Sequence, residues 1–155
     1  MPEAYRLRGN RVQPVSHSHI CTVANNVGKA FRFNKRNKNK LDQVFESLFE
    51  LGVILNVIDD SEWLFITKGH CDPSKATICV PQSIYDNACI GERDALAVML
   101  HEMGHLFLGH RPVLHFSNEP AIKEEDAEWQ ADTFAEVILK NMGYQTDQLS
   151  FDFYM

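Results

Sequence analysis

The pentapeptide His101-Glu102-Met103-Gly104-His105 lies inside a run, Ala95 to Leu108, that is otherwise apolar and free of proline. On a helix turning about 3.6 residues per turn, positions four apart return to nearly the same face. His101 and His105 can therefore offer imidazole nitrogens to one ion, with Glu102 beside the open coordination position as a general base. Glu92 and Asp94 suit the positive end of such a helix, and Gly109-His110-Arg111-Pro112 is a stop signal. A buried helix with two imidazoles and a carboxylate at its centre must satisfy them, and a metal does so directly. The competing reading is a pair of core histidines bonded to backbone carbonyls. A third ligand would decide between them.

A catalytic zinc with two histidines needs a carboxylate from a second helix packed on the first. Residues 119–142 read as that helix, with Asn118 as N-cap, Pro120 in the first turn and Glu124, Glu125 and Asp126 near its start. Trp129, Ala131, Phe134, Ala135 and Ile138 form its apolar stripe, and Gly143 ends it. Within it, Glu128 and Asp132 share a face, with the small Ala131 where two helices must approach closely. Glu128 is the expected third ligand. Asp132 is expected to orient a ligating histidine through its other N–H. Glu124 and Glu125 are register-shifted alternatives that read better as a solvated face.

The segment Gly91 to His110, followed after a loop by Glu128-Trp-Gln-Ala-Asp-Thr-Phe-Ala135, resembles the ImmA/IrrE family of zinc metallopeptidases. Ala76-Thr-Ile-Cys-Val-Pro81 is similar to the strand that leads into the motif helix there. Pro14-Val-Ser16 and the helical pattern after it are similar to the family's N-terminal helix. The resemblance implies a gluzincin-like fold with a single Zn2+ held by His101, His105 and Glu128, and Glu102 as the catalytic base. It also implies limited cleavage of a regulatory protein, a helix-turn-helix repressor often encoded beside the peptidase in a phage or mobile element. Two departures stand out. The second helix continues through Val137-Ile-Leu-Lys140 where the family often has Leu-Leu-Met-Pro, and Gly109, followed by His110, stands where many members carry a histidine.

At 155 residues the chain fits one domain, read as an arm over 1–13, a metallopeptidase-like domain over 14–143 and a tail over 144–155. Hydrophobic content of 45% and charged content of 23% are ordinary for a globular protein. No apolar run reaches the roughly 18–20 residues of a membrane span, and the N-terminus lacks a signal-peptide core, so a cytoplasmic location and no membrane partner are expected. Cys21, Cys71, Cys79 and Cys89 show no Cys-x-x-Cys spacing and should be reduced and mostly buried. His70-Cys71 reads as a loop, with a second metal position as the lesser alternative. A net charge of −6 argues against nucleic-acid binding over the whole surface. Arg32-Phe-Asn-Lys-Arg-Asn-Lys-Asn-Lys40, with five basic side chains in nine residues, reads as a solvated connection between helices; the alternative is a contact strip for DNA or a DNA-bound partner. Without a DNA-binding motif, contact with nucleic acid is expected only through the partner.

The rest of the chain reads as α+β: a small sheet with a zinc-binding helix pair. Ser16 caps a helix carrying Ile20, Val23, Val27 and Phe31; a second helix carries Leu41, Val44, Phe45 and Leu48 until Gly52. Val53–Ile58 and Trp63–Thr67 read as strands joined by a hairpin turn at Asp59-Asp60-Ser61, with a third strand over Ala76–Val80 and a short helix over Pro81–Ala88. Gly104, inside a helix at a cost of about 1 kcal/mol relative to alanine, marks a place where another backbone passes close by. Tyr85, His110 and His115 are candidate oxyanion donors. The expected activity is zinc-dependent peptide hydrolysis. The alternative, using the same ligands, is a zinc-stabilised module that sequesters or senses a partner without cutting it, as a toxin–antitoxin component would.

Overall fold

Ser16 stands ahead of an apolar stripe, and its hydroxyl accepts from the amide of His19 at 3.1 Å to open α1 (His17–Phe31). Ile20, Ala24 and Val27 turn inward from it. A short α2 (Asp42–Glu46) runs into a 3-10 turn over Ser47–Leu51, ended by Gly52 at φ +80°. Three strands follow, β1 (Ile54–Ile58), β2 (His70–Asp72) and β3 (Thr77–Pro81), then α3 (Gln82–Cys89), α4 (Arg93–Phe107) and α5 (Ala127–Asn141). The computed structural model describes residues 5–112 and 119–147. Within these the architecture is α+β, with five helices and one mixed three-stranded sheet in the order β1-β3-β2. None of the described helices is long and apolar enough to cross a membrane.

Residues Ala95 to Gly104 of α4 are all buried, so this helix is enclosed on every side. It packs on α3, on α5 and on β2, while α5 also packs on α1. Glu92 caps it, accepting from the amides of Asp94 at 3.0 Å and Ala95 at 2.7 Å. α4 and α5 approach each other tightly at Gly104. A Cβ there would lie 3.1 Å from Cα of Ala131 and from Cδ1 of Phe134. Two small residues thus face each other and let the backbones close up, as each was expected to do.

Several expectations change. The segment Trp63–Thr67 is not a strand: the indole Nε1 of Trp63 donates to the carbonyl of Thr67 at 2.9 Å and folds it on itself. Its alternating apolar residues face water, with Leu64 91% and Ile66 94% exposed. The second strand is His70–Asp72 instead, so His70-Cys71 lies in an edge strand and not a loop. No hairpin forms at 59–61. β1 pairs in parallel with β3 from Ile54↔Thr77 to Ile58↔Pro81, and β2 pairs antiparallel with it from His70↔Cys79 to Asp72↔Thr77. The four cysteines are free and half-buried, not mostly buried.

The second site helix begins later than expected. Asp126, fully buried, accepts from the amide of Glu128 at 3.0 Å and caps α5, after a 3-10 turn over Lys123–Glu125. Asn118 lies outside the described residues. The same carboxylate ties down the described part of the expected arm, residues 5–13, since it accepts from the hydroxyl of Tyr5 at 2.6 Å and the amides of Arg8 at 2.9 Å and Gly9 at 3.2 Å. Val12 then donates to the carbonyl of Glu125 at 2.8 Å, and Ala127 donates to that of Asn10 at 3.1 Å. A buried carboxylate needs several donors, and the arm supplies three of them. Residues 144–147 continue from α5, with Tyr144 half-buried against the core; the rest of the expected tail lies outside the described residues.

Because Gly104 sits where two backbones meet, Gly104→Val should force them apart and cost about 1–3 kcal/mol, measured by chemical denaturation. An unchanged midpoint would mean that the crossing is loose.

Candidate metal centre

His101 and His105 stand one turn apart on α4, and Glu128 stands in the first turn of α5, one turn ahead of the Ala131 crossing. The close approach at Gly104 brings the carboxylate to the imidazoles. His101 Nε2 lies 2.7 Å from Oε2 of Glu128, His105 Nε2 lies 3.4 Å from its Oε1, and the two Nε2 atoms lie 3.2 Å apart. One donor atom from each residue falls within 4.8 Å of the others, a set able to hold a metal ion. Tetrahedral coordination with Zn–N bonds of about 2.0–2.1 Å implies donor separations of about 3.3 Å, close to two of the three observed.

Glu128 Oε2 is enclosed and lies 2.7 Å from His101 Nε2, and on the far side of the same ring His101 Nδ1 lies 2.7 Å from Asp132 Oδ1. The imidazole Nε2 atoms and the Glu128 carboxylate crowd together at distances that call for positive charge among them. A proton or a cation provides it. Burial alone would lower the pKa of His101, but the carboxylates of Asp132 and Glu128 win and raise it to about 9. Burial pushes the Glu128 carboxyl up, yet the two imidazoles hold it well below the usual carboxylate range.

Each imidazole has a partner behind it. His101 Nδ1 is 2.7 Å from Asp132 Oδ1, and Arg8 in turn reaches the other oxygen of Asp132 at 2.5 Å. Asp132 was expected beside a ligating histidine, and it lies beside His101. For His105 the support was not foreseen. Gln130 donates both amide hydrogens, to the carbonyls of Gln13 at 3.0 Å and Glu124 at 2.6 Å, so its Oε1 must accept from His110 Nε2 at 2.7 Å. His110 Nδ1 is then an acceptor, and His105 Nδ1, 2.8 Å away, must donate to it. That tautomer leaves the lone pair of His105 Nε2 aimed at the cluster. Burial, then the neighbouring His105, pushes His110 down to about 4 and keeps it neutral in this role. Gly109, at φ +63°, makes the turn that returns His110 to α4. The sequence signal was Gln130 itself, a polar residue between Trp129 and Ala131 in an apolar stripe.

A cleft of about 480 Å3 opens on the cluster, lined by Glu102, His105 and Glu128, by β2 and by Asn10 and Arg111. Glu102 is only 1% exposed. The chain entering β2 lies against it: a Cβ on Gly69 would come 2.9 Å from its Oε2. Gly9 does the same for Glu128, where a Cβ would meet Cγ at 2.7 Å. Of the oxyanion candidates, His110 reaches the cleft but has both nitrogens engaged. Tyr85 packs on Phe45, 6.1 Å between ring centres, and does not line the cleft. His115 lies outside the described residues. Glu124 and Glu125 stay apart from the cluster; Glu125 pairs with Arg11 at 2.8 Å.

No protein-family model, curated protein or solved structure matches the chain. What the site can do is decided by its own atoms: two oriented imidazoles, a carboxylate completing the set and a second carboxylate in the same cleft.

Asp132→Asn should weaken binding of a divalent metal by about 10- to 100-fold, and Gln130→Met should do the same through His105. Competition with a chromophoric chelator for Zn2+ or Co2+ measures both. Unaltered affinity in either variant would mean that the corresponding imidazole needs no support.

Proposed function

We propose that this protein is a zinc-dependent metallopeptidase with a zincin-like arrangement, of the ImmA/IrrE type that its two helix motifs resemble. The observation that carries this reading is the convergence of His101, His105 and Glu128 on one point, beside a cleft that His105, Glu128 and Glu102 line. The donor set of two imidazole nitrogens and one carboxylate suits zinc, and the crowding of Nε2 of His101, Nε2 of His105 and the Glu128 carboxylate suits a cation among them. When bound, zinc supplies Lewis-acid activation of water and of a carbonyl oxygen.

The protein's own residues do the rest. Asp132 and the His110–Gln130 pair hold the imidazoles in the ligating orientation. Glu102 adjoins His101 in sequence, and its carboxylate takes the proton from the attacking water and later passes it to the departing amine nitrogen. β2 is hydrogen-bonded to β3 on one side, and no described strand covers its other edge. His70, Cys71 and Asp72 line the cleft along that edge. An extended peptide can pair there by main-chain hydrogen bonds, which gives affinity with little demand on sequence. Ile66, 94% exposed, precedes Thr67 of the cleft wall and offers an apolar contact for a substrate side chain. Cys71 is no nucleophile, since burial and the nearby Glu102 push its thiol upward. The substrate class we favour is a regulatory protein, a helix-turn-helix repressor cut at an extended segment.

The zinc-loaded protein, incubated with the regulator encoded beside it, should yield discrete fragments. Glu102→Gln should keep one zinc per chain and cut at least about 100-fold more slowly. A stable complex with an intact regulator would point instead to a zinc-stabilised binding module, and full activity of Glu102→Gln would remove that residue from the chemistry.

A further inference from the structure

We propose that the connection between α1 and α2, together with the last turn of α1, is a docking strip for the phosphate backbone of duplex nucleic acid. Charge is sharply segregated along this chain. Residues 4–41 hold nine of the 15 Lys and Arg and no Asp or Glu, although the whole carries −6. Six of the nine, Lys29, Arg32, Lys35, Arg36, Lys38 and Lys40, fall within twelve residues. All but the half-buried Lys38 are exposed, and among the described residues none of the six forms an ion pair with a carboxylate. Arg8 and Arg11 in the same acid-free stretch are both paired. Arg8 and Arg11 are thus neutralised, Lys38 lies over the ring of Tyr144 at 5.2 Å, and the other five face water, where their mutual repulsion costs stability.

The strip is not a slack loop. Phe33 and Leu41 anchor its two ends in the core, at 3% and 0% exposure. The amide of Phe33 donates to the carbonyl of Gly28 at 2.9 Å, and that of Leu41 to Cys89 at 2.9 Å. Between them Asn37 ties the turns together: its amide reaches the side chain of Asn34 at 3.0 Å, its own side chain donates to the carbonyl of Arg32 at 3.2 Å, and its carbonyl accepts from Lys40 at 2.8 Å. Arg32 sits at φ 62°, a region disfavoured for a side chain with a Cβ, and is held there as the cap of α1. Hydrophobic anchors point in and cations point out from a fixed backbone.

Two grooves flank Arg32. One, of about 600 Å3, is lined by Lys29, Arg32 and the amides of Asn25, Asn34 and Asn141; the other, of about 390 Å3, by Arg32, Lys40, Asn37 and Gln43. Neither has a carboxylate in its wall. Cations with amide donors and no acid form the chemistry that positions phosphates. An acidic protein partner fits less well, because a protein interface draws its energy from an apolar centre and no large apolar side chain is exposed between residues 29 and 41. A single strand fits less well too, because Phe33 is buried and Phe31 half-buried, which leaves no aromatic platform for bases. The contact is therefore electrostatic, sequence-independent and direct. It does not depend on hydrolysis or on zinc.

The test uses the full chain and a fluorescein-labelled duplex of arbitrary sequence, about two helical turns long, read by fluorescence anisotropy. Binding should weaken on the order of 100-fold between about 50 and 200 mM NaCl, as expected for roughly four phosphates engaged. The combined variant Lys29→Gln, Lys35→Gln, Arg36→Gln and Lys40→Gln should lose at least tenfold in affinity at the lower salt with its melting temperature unchanged. Lys→Arg replacements at 29, 35 and 40 should restore binding. If the combined variant melts lower, the single Lys35→Gln and Arg36→Gln proteins are compared instead, each expected to reduce the salt slope by about one. No binding at low salt, undiminished binding by the variants, tighter binding of the single strand, or binding of poly-glutamate but not of duplex would each overturn the proposal. None of these outcomes bears on cleavage of a regulator, so the two readings stand or fall apart.

Discussion

Two helices can exchange side chains across a shared cluster only if their backbones come close, and here that closeness is set at a single point. Gly104 and Ala131 face each other where α4 crosses α5, and the space between them is too small for another methyl group without displacement. Everything in the candidate metal site is counted from this crossing. His105 follows Gly104 directly, His101 lies one turn before His105, Glu128 lies three residues before Ala131 and Asp132 follows it. A wider separation would leave the three donors in one cavity but beyond the reach of a common ion.

Enclosing such groups is costly, and the protein offsets the cost by chains of contact that run outward from the cluster. One passes from His101 through Asp132 to Arg8. The other passes from His105 through His110 and Gln130 to two backbone carbonyls. Each step satisfies a polar group that burial would otherwise penalise, and each fixes the orientation of the group before it. Both chains end on the segment before α1, at Arg8 and at the carbonyl of Gln13. The first stretch of sequence thus completes a site built on two much later helices.

What could be read from the sequence follows the range over which each feature is determined. Ser16, the heptad-scale stripes of α1 and α5, the His-Glu-x-x-His spacing and the small residues at the crossing are local patterns, and the structure brings His101, His105 and Glu128 together as their spacing suggests. The strand assignment failed at Trp63–Thr67 because alternation alone does not say whether a partner strand exists, and a Trp63–Thr67 contact captured the segment first. The start of α5 was placed too early because acids crowd 119–126, and only the tertiary donors from Tyr5, Arg8 and Gly9 single out Asp126 as the cap. The His110–Gln130 support was hidden for the same reason, since its logic runs through carbonyls more than a hundred residues away in one direction.

The clasp between Arg8 and Asp132 spans 124 positions of the chain. During synthesis the first of these residues leaves the ribosome long before the second exists, and loop-closure entropy disfavours their meeting until the intervening core has formed. Nascent chains would therefore carry both histidines without a finished pocket around them. The surroundings that orient His101 are thus assembled late, only after the segment carrying Asp132 has been made.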